Sequence, residues 1–237
     1  MLPIAILAGG LATRLHPITE NRPKSLINIA GKPFIAHQLE YLSKQGFSNV
    51  VLCLGFLGEK ICEFVGDGSR WRLNVMYSQD GPNLLDTGGA IKKALPLLGD
   101  EFFILYGDSY LPINFFDIEK FYKASSQRGL MTIYRNGDKL DTNNVDFEDG
   151  QIIEYNKELC RPGMTHIDYG LGLIHRSVFD AYNDNHRFSL SQVYNDLSLA
   201  GDLYGYEIFQ RFYEIGSRQG IIDTNAFLSN KELKENL

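Results

Sequence analysis

The sequence predicts an α/β fold: a mixed, mostly parallel central sheet flanked by helices. Three observations carry this. Short apolar, strand-length runs alternate with helix-period segments through the first half of the chain. Two of those runs end on Gly-Gly or Gly-Asp, as a buried parallel strand does where it gives way to a turn. The second half reads instead as strands separated by tight turns, which adds antiparallel members to the same sheet.

Ile4 to Ala8 is the first apolar run, and it stops at Gly9-Gly10. Phe34 to Gln45 carries Ile35, Leu39 and Leu42 at helical spacing, with Gly46 as the stop. Asn49 to Gly55 predicts the second strand, and a short helix follows from Glu59 to Val65. Leu73 to Ser78 predicts a third strand. Gly88 to Leu98 predicts a helix with Lys92 and Lys93 on its open face, and Phe102 to Tyr106 a fourth strand ending at Gly107-Asp108. This alternation implies parallel pairing through right-handed crossovers. Further strands are expected from Leu130 to Arg135, Val145 to Phe147, Gln151 to Tyr155 and His166 to Ile174, with Glu148-Asp149-Gly150 as a turn. Helices near Ser177 to Tyr182 and Ser189 to Ala200, and strands near Tyr204 to Phe209 and Phe212 to Ile215, complete the chain. No repeat or linker interrupts it, which predicts one domain, 1–237, with two lobes, 1–110 and 111–237.

The chain of 237 residues is 44% hydrophobic, enough for a substantial core, and its formal charge is −6 with acids and bases intermixed. No basic run stands out, which argues against nucleic acid as a partner. An acidic protein that handles phosphates must gather its positive charge into one site. Cys53, Cys62 and Cys160 form no C-x-x-C pair. Neither a disulfide framework nor a zinc site is expected, and a reducing compartment fits. The apolar N-terminal stretch lacks a basic flank and is too short for a signal peptide or a membrane span. These features predict a cytoplasmic protein without a membrane partner. His16, His37, His166, His175 and His186 show no metal-ligand spacing, and no G-x-S-x-G elbow is present.

The most informative segment is Leu7-Ala8-Gly9-Gly10-Leu11-Ala12-Thr13-Arg14-Leu15. It follows a buried strand, and glycines there let backbone N–H groups converge on a triphosphate with no Cβ in the way. Thr13 offers a hydroxyl, and Arg14 a planar, permanently charged fork. Lys24 follows within Arg22-Pro23-Lys24-Ser25-Leu26, where Pro23 fixes the backbone before it. The pattern is neither a Walker A motif nor a G-x-G-x-x-G fingerprint.

Together these segments resemble L-A-G-G-x-G-T-R-L…P-K-x-L, the signature of the sugar-1-phosphate nucleotidyltransferases that make nucleotide sugars. Ala12 stands where that signature has its third glycine, a change the loop accepts if φ stays negative. Leu85-Asp86-Thr87-Gly88-Gly89-Ala90 is similar to the family's L-G-T-G-G-A, whose small residues let the backbone approach base and ribose beside a helix N-terminus. Read alone, the same residues are an ordinary helix start with Asp86 or Thr87 as cap. Gln79, Asp80 and Asn83 are the polar candidates for reading the base.

The resemblance implies a Rossmann-like, nucleotide-diphospho-sugar transferase fold, with a nucleotide-binding lobe at 1–110 and a sugar-phosphate-binding lobe at 111–237. It assigns nucleotide contacts to Leu7, Ala8, Gly9, Gly10, Thr13, Thr87 and Gly88, to which Gln79 and Asn83 are added as base-reading candidates that match no family residue, and catalytic roles to Arg14 and Lys24. It implies Mg²⁺ as cofactor, held by Asp108 at a strand end. The second ligand is Glu214 in Tyr213-Glu214-Ile215-Gly216-Ser217, where the family's D-I-G-T carries aspartate. Gln151 to Glu158 resembles the family's F-x-E-K-P, so Lys157 would hold the acceptor phosphate. Asn143 and its neighbour Asn144, Asp168 and Gly170 fall where sugar contacts are expected.

The partners implied are a nucleoside triphosphate and a sugar 1-phosphate, of heptose type with GTP or amino-sugar type with UTP, handled by a monomer or homodimer. Two alternatives remain: a cytidylyltransferase acting on a non-sugar phosphate such as phosphocholine, and a regulator that binds nucleotide sugars without turnover. An aromatic acceptor wall would favour choline and a polar one a sugar.

Overall fold

A computed structural model describes residues 1–137 and 141–235. In chain order the elements are β1 (Ile4–Leu7), β2 (Asn28–Ile29), β3 (Lys32–Pro33), α1 (Phe34–Lys44), β4 (Asn49–Leu54), α2 (Gly58–Val65), β5 (Asn74–Gln79), α3 (Asp86–Leu98), β6 (Glu101–Tyr106) and β7 (Ser109–Tyr110). There follow α4 (Phe115–Ala124), β8 (Gly129–Arg135), β9 (Val145–Glu148), β10 (Gln151–Tyr155), β11 (His166–His175), α5 (Leu190–Leu199), β12 (Leu203–Ile208), β13 (Tyr213–Glu214) and α6 (Arg218–Glu235).

Nine strands form one sheet in the order β5-β4-β1-β6-β11-β8-β12-β10-β9. The four from the first half, β5, β4, β1 and β6, are mutually parallel. β12 runs parallel to β8, while β11 and β10 run against their neighbours. β9 also pairs with β11, so the strands of the second half curl back on themselves. This is the mixed, mostly parallel sheet that the sequence predicts.

Period-2 alternation explains the two layers. Ile4 and Ile6 face one side with Ile35, Leu39 and Leu52, under α1 and α2. Ala5, Val51, Phe102 and Ile104 face the other, under α3 and α5, with Ile91, Ala94, Val193 and Leu197. Each of the Val, Leu, Ile and Phe side chains among these contributes about 1.5–3 kcal/mol by leaving water. A third cluster joins Leu15, Ile27, Ile29, Phe34 and Ile215 to Leu228 of α6.

Several elements differ from expectation. Helices α4 and α6 were not predicted. The buried face of α4 is Phe115, Ile118 and Tyr122, and the Asn114 side chain caps it by accepting from the Phe116 N–H. In α6 the apolar residues do not form one stripe: Leu228 is buried while Ile222 is exposed, so the 3.6-residue period is weak. Helix α3 begins at Asp86, two residues before the predicted start. Residues Arg176–Ala181 form a 3₁₀ helix. Lys92 and Lys93, expected on an open face, donate to the carbonyls of Phe179 and Asp80.

Candidate active site

A cavity of about 470 Å³ opens at the carboxyl ends of β1, β4, β5 and β6, where open α/β sheets place their ligands. The Gly9-Gly10 turn forms one wall with Leu7, Ala8 and Leu11. The two glycines differ. A Cβ on Gly9 would meet the Gly55 backbone nitrogen at 2.7 Å, whereas one on Gly10 would meet nothing within 4 Å. Gly9 is required by the close approach of two chain segments, and Gly10 leaves space open. Ala12 adopts φ 51, which corrects the expectation of a negative φ: the replaced glycine sat in a left-handed position. The buried Thr19 donates its hydroxyl to the Ala12 carbonyl and braces the turn. Thr13 and Arg14 follow in a short 3₁₀ turn, both exposed and both outside the cavity lining.

Lys24 reaches across to Asp108, with Nζ 2.6 Å from Oδ2, and both side chains line the cavity. Asp108 stands between β6 and β7. The short β7–β13 ladder pairs Ser109 with Glu214, and the Ile215 N–H donates to the Asp108 carbonyl. Two acids far apart in sequence therefore arrive together. A Cβ on Gly216 would lie 2.8 Å from Glu214 Oε2 and 3.2 Å from Asp108 Oδ2. Glu214 accepts from the Gly216 N–H and, at 2.6 Å, from the Ser217 hydroxyl.

Lys157 and Tyr106 also line the cavity. The Tyr106 hydroxyl donates to Asp168 Oδ2 at 2.6 Å, and the Gly170 N–H donates to Oδ1 at 2.8 Å. Burial pushes the Asp168 carboxyl above its ordinary range; the two hydrogen bonds and the Lys157 charge oppose that shift. Gly170 has φ 99, and a Cβ there would crowd Ser109 and Tyr106. The ring that approaches Gly170 is thus Tyr106 rather than an open sugar site. Asn143 is buried and accepts from the Asn136 side chain, and the Asn144 side chain accepts from the Asp168 N–H. Neither Asn143 nor Asn144 lines the cavity; both tie down the chain around Asp168.

The nucleoside-facing expectations need two corrections. Asp80, Leu84, Asp86 and Thr87 line the cavity; Gln79 and Asn83 are exposed outside it. Burial raises the Asp80 carboxyl, opposed by the Leu85 N–H and Lys93. Gly88 also lies outside the lining. The N–H groups of Gly88 and Gly89 both donate to the Phe188 carbonyl, and the Thr87 hydroxyl accepts from the Leu190 N–H. A Cβ on Gly88 would meet the Phe188 ring at 2.5 Å. These small residues admit the 186–190 segment. The same segment supplies cavity residues the sequence reading missed: Arg187, Ser189 and Ser191. Ser189 was read only as the start of a helix, and nothing in the sequence marks Arg187.

Residues 4–153 match the family described as nucleotidyl transferase. A D-glycero-alpha-D-manno-heptose 1-phosphate guanylyltransferase of Campylobacter jejuni is 33% identical over 79% of this chain and 82% of its own length. An N-acetylmuramate alpha-1-phosphate uridylyltransferase of Neisseria meningitidis is 40% identical over 46% of this chain and 48% of its own length, so that match spans about half of each protein. The crystal structure of HddC from Yersinia pseudotuberculosis complexed with GMP-PN superposes with a TM-score of 0.81 at 25% identity, over 96% of this chain and 100% of that one. No helix among the described residues is long and apolar enough to cross a membrane. On the extent of the family match and the identity to the Campylobacter protein, the chain belongs to the nucleotidyl transferase family.

Proposed function

We propose that this protein joins a nucleoside triphosphate to a sugar 1-phosphate, forming a nucleotide sugar and releasing pyrophosphate, with Mg²⁺ as cofactor. One observation carries the reading: Lys24, Asp108, Lys157 and the bare Gly10 face a single cavity in an otherwise acidic chain. Residues 1–110 would hold the nucleotide and 111–237 the acceptor.

Asp108 and Glu214 fit a hard cation. Their carboxylates both come within 3.2 Å of the point a Cβ on Gly216 would occupy, and a pair of protein oxygens suits an ion that keeps several of its waters. Bound there, Mg²⁺ would supply charge neutralisation for phosphate oxygens. The acceptor phosphate is largely dianionic near pH 7, so no general base is required. Its oxygen attacks the α-phosphorus in line, forming one P–O bond as the bond to pyrophosphate breaks. Lys157 orients the acceptor. Lys24 exchanges Asp108 for the α-phosphate, and Arg14 closes from its exposed turn onto the leaving pyrophosphate. Positioning and charge neutralisation then carry the rate.

Tyr106 is the one aromatic among the described cavity-lining residues, and its hydroxyl is engaged by Asp168. A polar wall of this kind supports a sugar acceptor over phosphocholine. The relatives' printed activities support GTP or UTP as donor. The test is pyrophosphate release from GTP, UTP, CTP and dTTP against heptose, mannose, glucose and N-acetylmuramate 1-phosphates, with Mg²⁺ and with EDTA. Turnover with one base–sugar pair, abolished by EDTA, is the expected result. Tight nucleotide-sugar binding with no turnover for any pair would establish the regulator instead.

A further inference from the structure

We infer that Asp86 recognises the ribose of the bound nucleotide through its hydroxyl groups; this rests on the proposed function. The starting point is a backbone outlier. Asp86 has φ 63, a left-handed conformation that is uncommon for a residue bearing a Cβ and that aspartate reaches with the help of a local side-chain hydrogen bond. The L-G-T-G-G-A segment it resembles has glycine at this position, where the conformation is free. Here a carboxylate stands instead, and Asp86 lines the cavity.

The two oxygens of Asp86 are placed differently. Oδ1 accepts from the Thr87 N–H at 2.7 Å and lies 3.3 Å from the Thr87 hydroxyl, which fixes the rotamer. Oδ2 faces Arg187 Nε at 3.9 Å, beyond hydrogen-bond length, and the Arg187 side chain is 76% exposed. One oxygen is thus anchored, and the other keeps acceptor capacity. Capping α3 does not explain the residue, because the Phe188 carbonyl already takes the N–H groups of Gly88 and Gly89.

The position selects the ligand group. Helix α3 packs on β1, β4 and β5, at one end of the sheet order, and on α5, whereas Lys157 follows β10 and Asp168 lies on β11. An ionised carboxylate only accepts hydrogen bonds and repels phosphates, which the Gly10 turn and Lys24 would hold. Of the nucleotide's remaining parts, the base edge offers N–H donors, which Asp80 in the same lining can accept, and the ribose offers two adjacent O–H donors. An acidic residue meets the ribose hydroxyl in the same chemical manner in dinucleotide-binding folds. Asp80 and Leu84, at the end of β5, are left to wall the base.

The experiment is equilibrium binding of GTP and UTP, with their 2′-deoxy and 3′-deoxy forms, to the full chain and to Asp86→Gly, with melting temperatures for both proteins. Wild type should bind the ribonucleotide roughly 10- to 100-fold more tightly than at least one deoxy form, the range for a hydrogen bond to a charged group. In Asp86→Gly that ratio should fall to within about threefold, with a melting temperature no lower than wild type because the backbone strain is gone. An equal ratio in both proteins overturns the inference, as does a variant that loses preference between GTP and UTP while still rejecting the deoxy forms. A wild type that binds none of these nucleotides overturns the proposed function itself, and this inference with it.

Discussion

Gly9-Gly10 and Gly88-Gly89 look alike in sequence, yet the structure uses them for opposite purposes. The first pair ends a strand and leaves Gly10 with nothing within 4 Å of a would-be Cβ. The second pair opens a helix, and the Phe188 carbonyl consumes both of its N–H groups. One pair keeps room for a ligand; the other admits a segment from the second half of the chain. The comparison teaches that a glycine pair marks close approach, and only the fold says what approaches. The first wall is chemical and the second is a docking wall.

The largest effect is expected beside the first pair. Lys24→Ala removes the cation from the Asp108 side of the cavity and should lower turnover by roughly 10²- to 10³-fold. Stability should hardly move. The Lys24–Asp108 side chains are 24% and 30% exposed, and partly solvated pairs of this kind contribute at most about 1 kcal/mol. Pyrophosphate release and a melting curve on the same sample decide the point. Near-normal turnover would remove Lys24 from the reaction, and a collapse in melting temperature would reassign it to structure.

The glycines themselves give the next contrast. A Cβ on Gly88 would lie 2.5 Å from the Phe188 ring and 2.9 Å from the Ser189 backbone. Gly88→Ala should therefore destabilise by about 1–3 kcal/mol, as overpacking does. Gly10→Ala should leave stability within about 0.5 kcal/mol and raise KM for the nucleotide, since the methyl projects where phosphates would lie. Denaturant midpoints and nucleotide kinetics on the two variants read both effects. The reverse pattern would exchange the roles of the two walls.

How far the sequence revealed this depends on the range of each contact. The first-half strands were legible because parallel strands buried on both faces are continuous apolar runs, as from Phe102 to Tyr106. Asp108 was legible because it follows such a run directly. That Glu214 meets Asp108 could not be read from spacing. It depends on a two-residue ladder, β7–β13, too short to carry a period of its own. Gly88 was misplaced because its partner, the Phe188 carbonyl, is a hundred residues away and leaves no local trace. Asn143 was misplaced for a related reason: an asparagine near a site looks the same whether it faces ligand or, as here, Asn136.

A smaller effect is expected at the acceptor end, where pH separates burial from charge. Burial holds the Asp168 carboxyl above its ordinary value of 3.8. The folded protein thus keeps that proton over a range where the unfolded chain has released it. Asp168 contributes its full stability below the unfolded value, and the contribution is lost as pH rises through the folded one. Asp168→Asn carries no charge to bury and keeps groups that can meet both Tyr106 and Gly170. Relative to wild type, its melting temperature should rise as pH goes from about 4 to 7. A gap independent of pH would mean that the carboxyl is not desolvated.

The smallest effect returns to the first turn, and it asks whether the wall beside Gly10 is strained. Ala12 at φ 51 carries the steric cost of a left-handed residue, about 1–2 kcal/mol. Ala12→Gly removes it but gives the unfolded chain more freedom, at about 0.5–1 kcal/mol. The net gain should be about 0.5 kcal/mol, a rise of roughly 1–2 °C in melting temperature for a chain of this size. Turnover should stay within about twofold, because Thr19 still holds the residue-12 carbonyl through its hydroxyl. A fall in melting temperature would mean that the turn does not hold its left-handed form in solution. Arg14, two residues on, would then lead into the cavity along a different path.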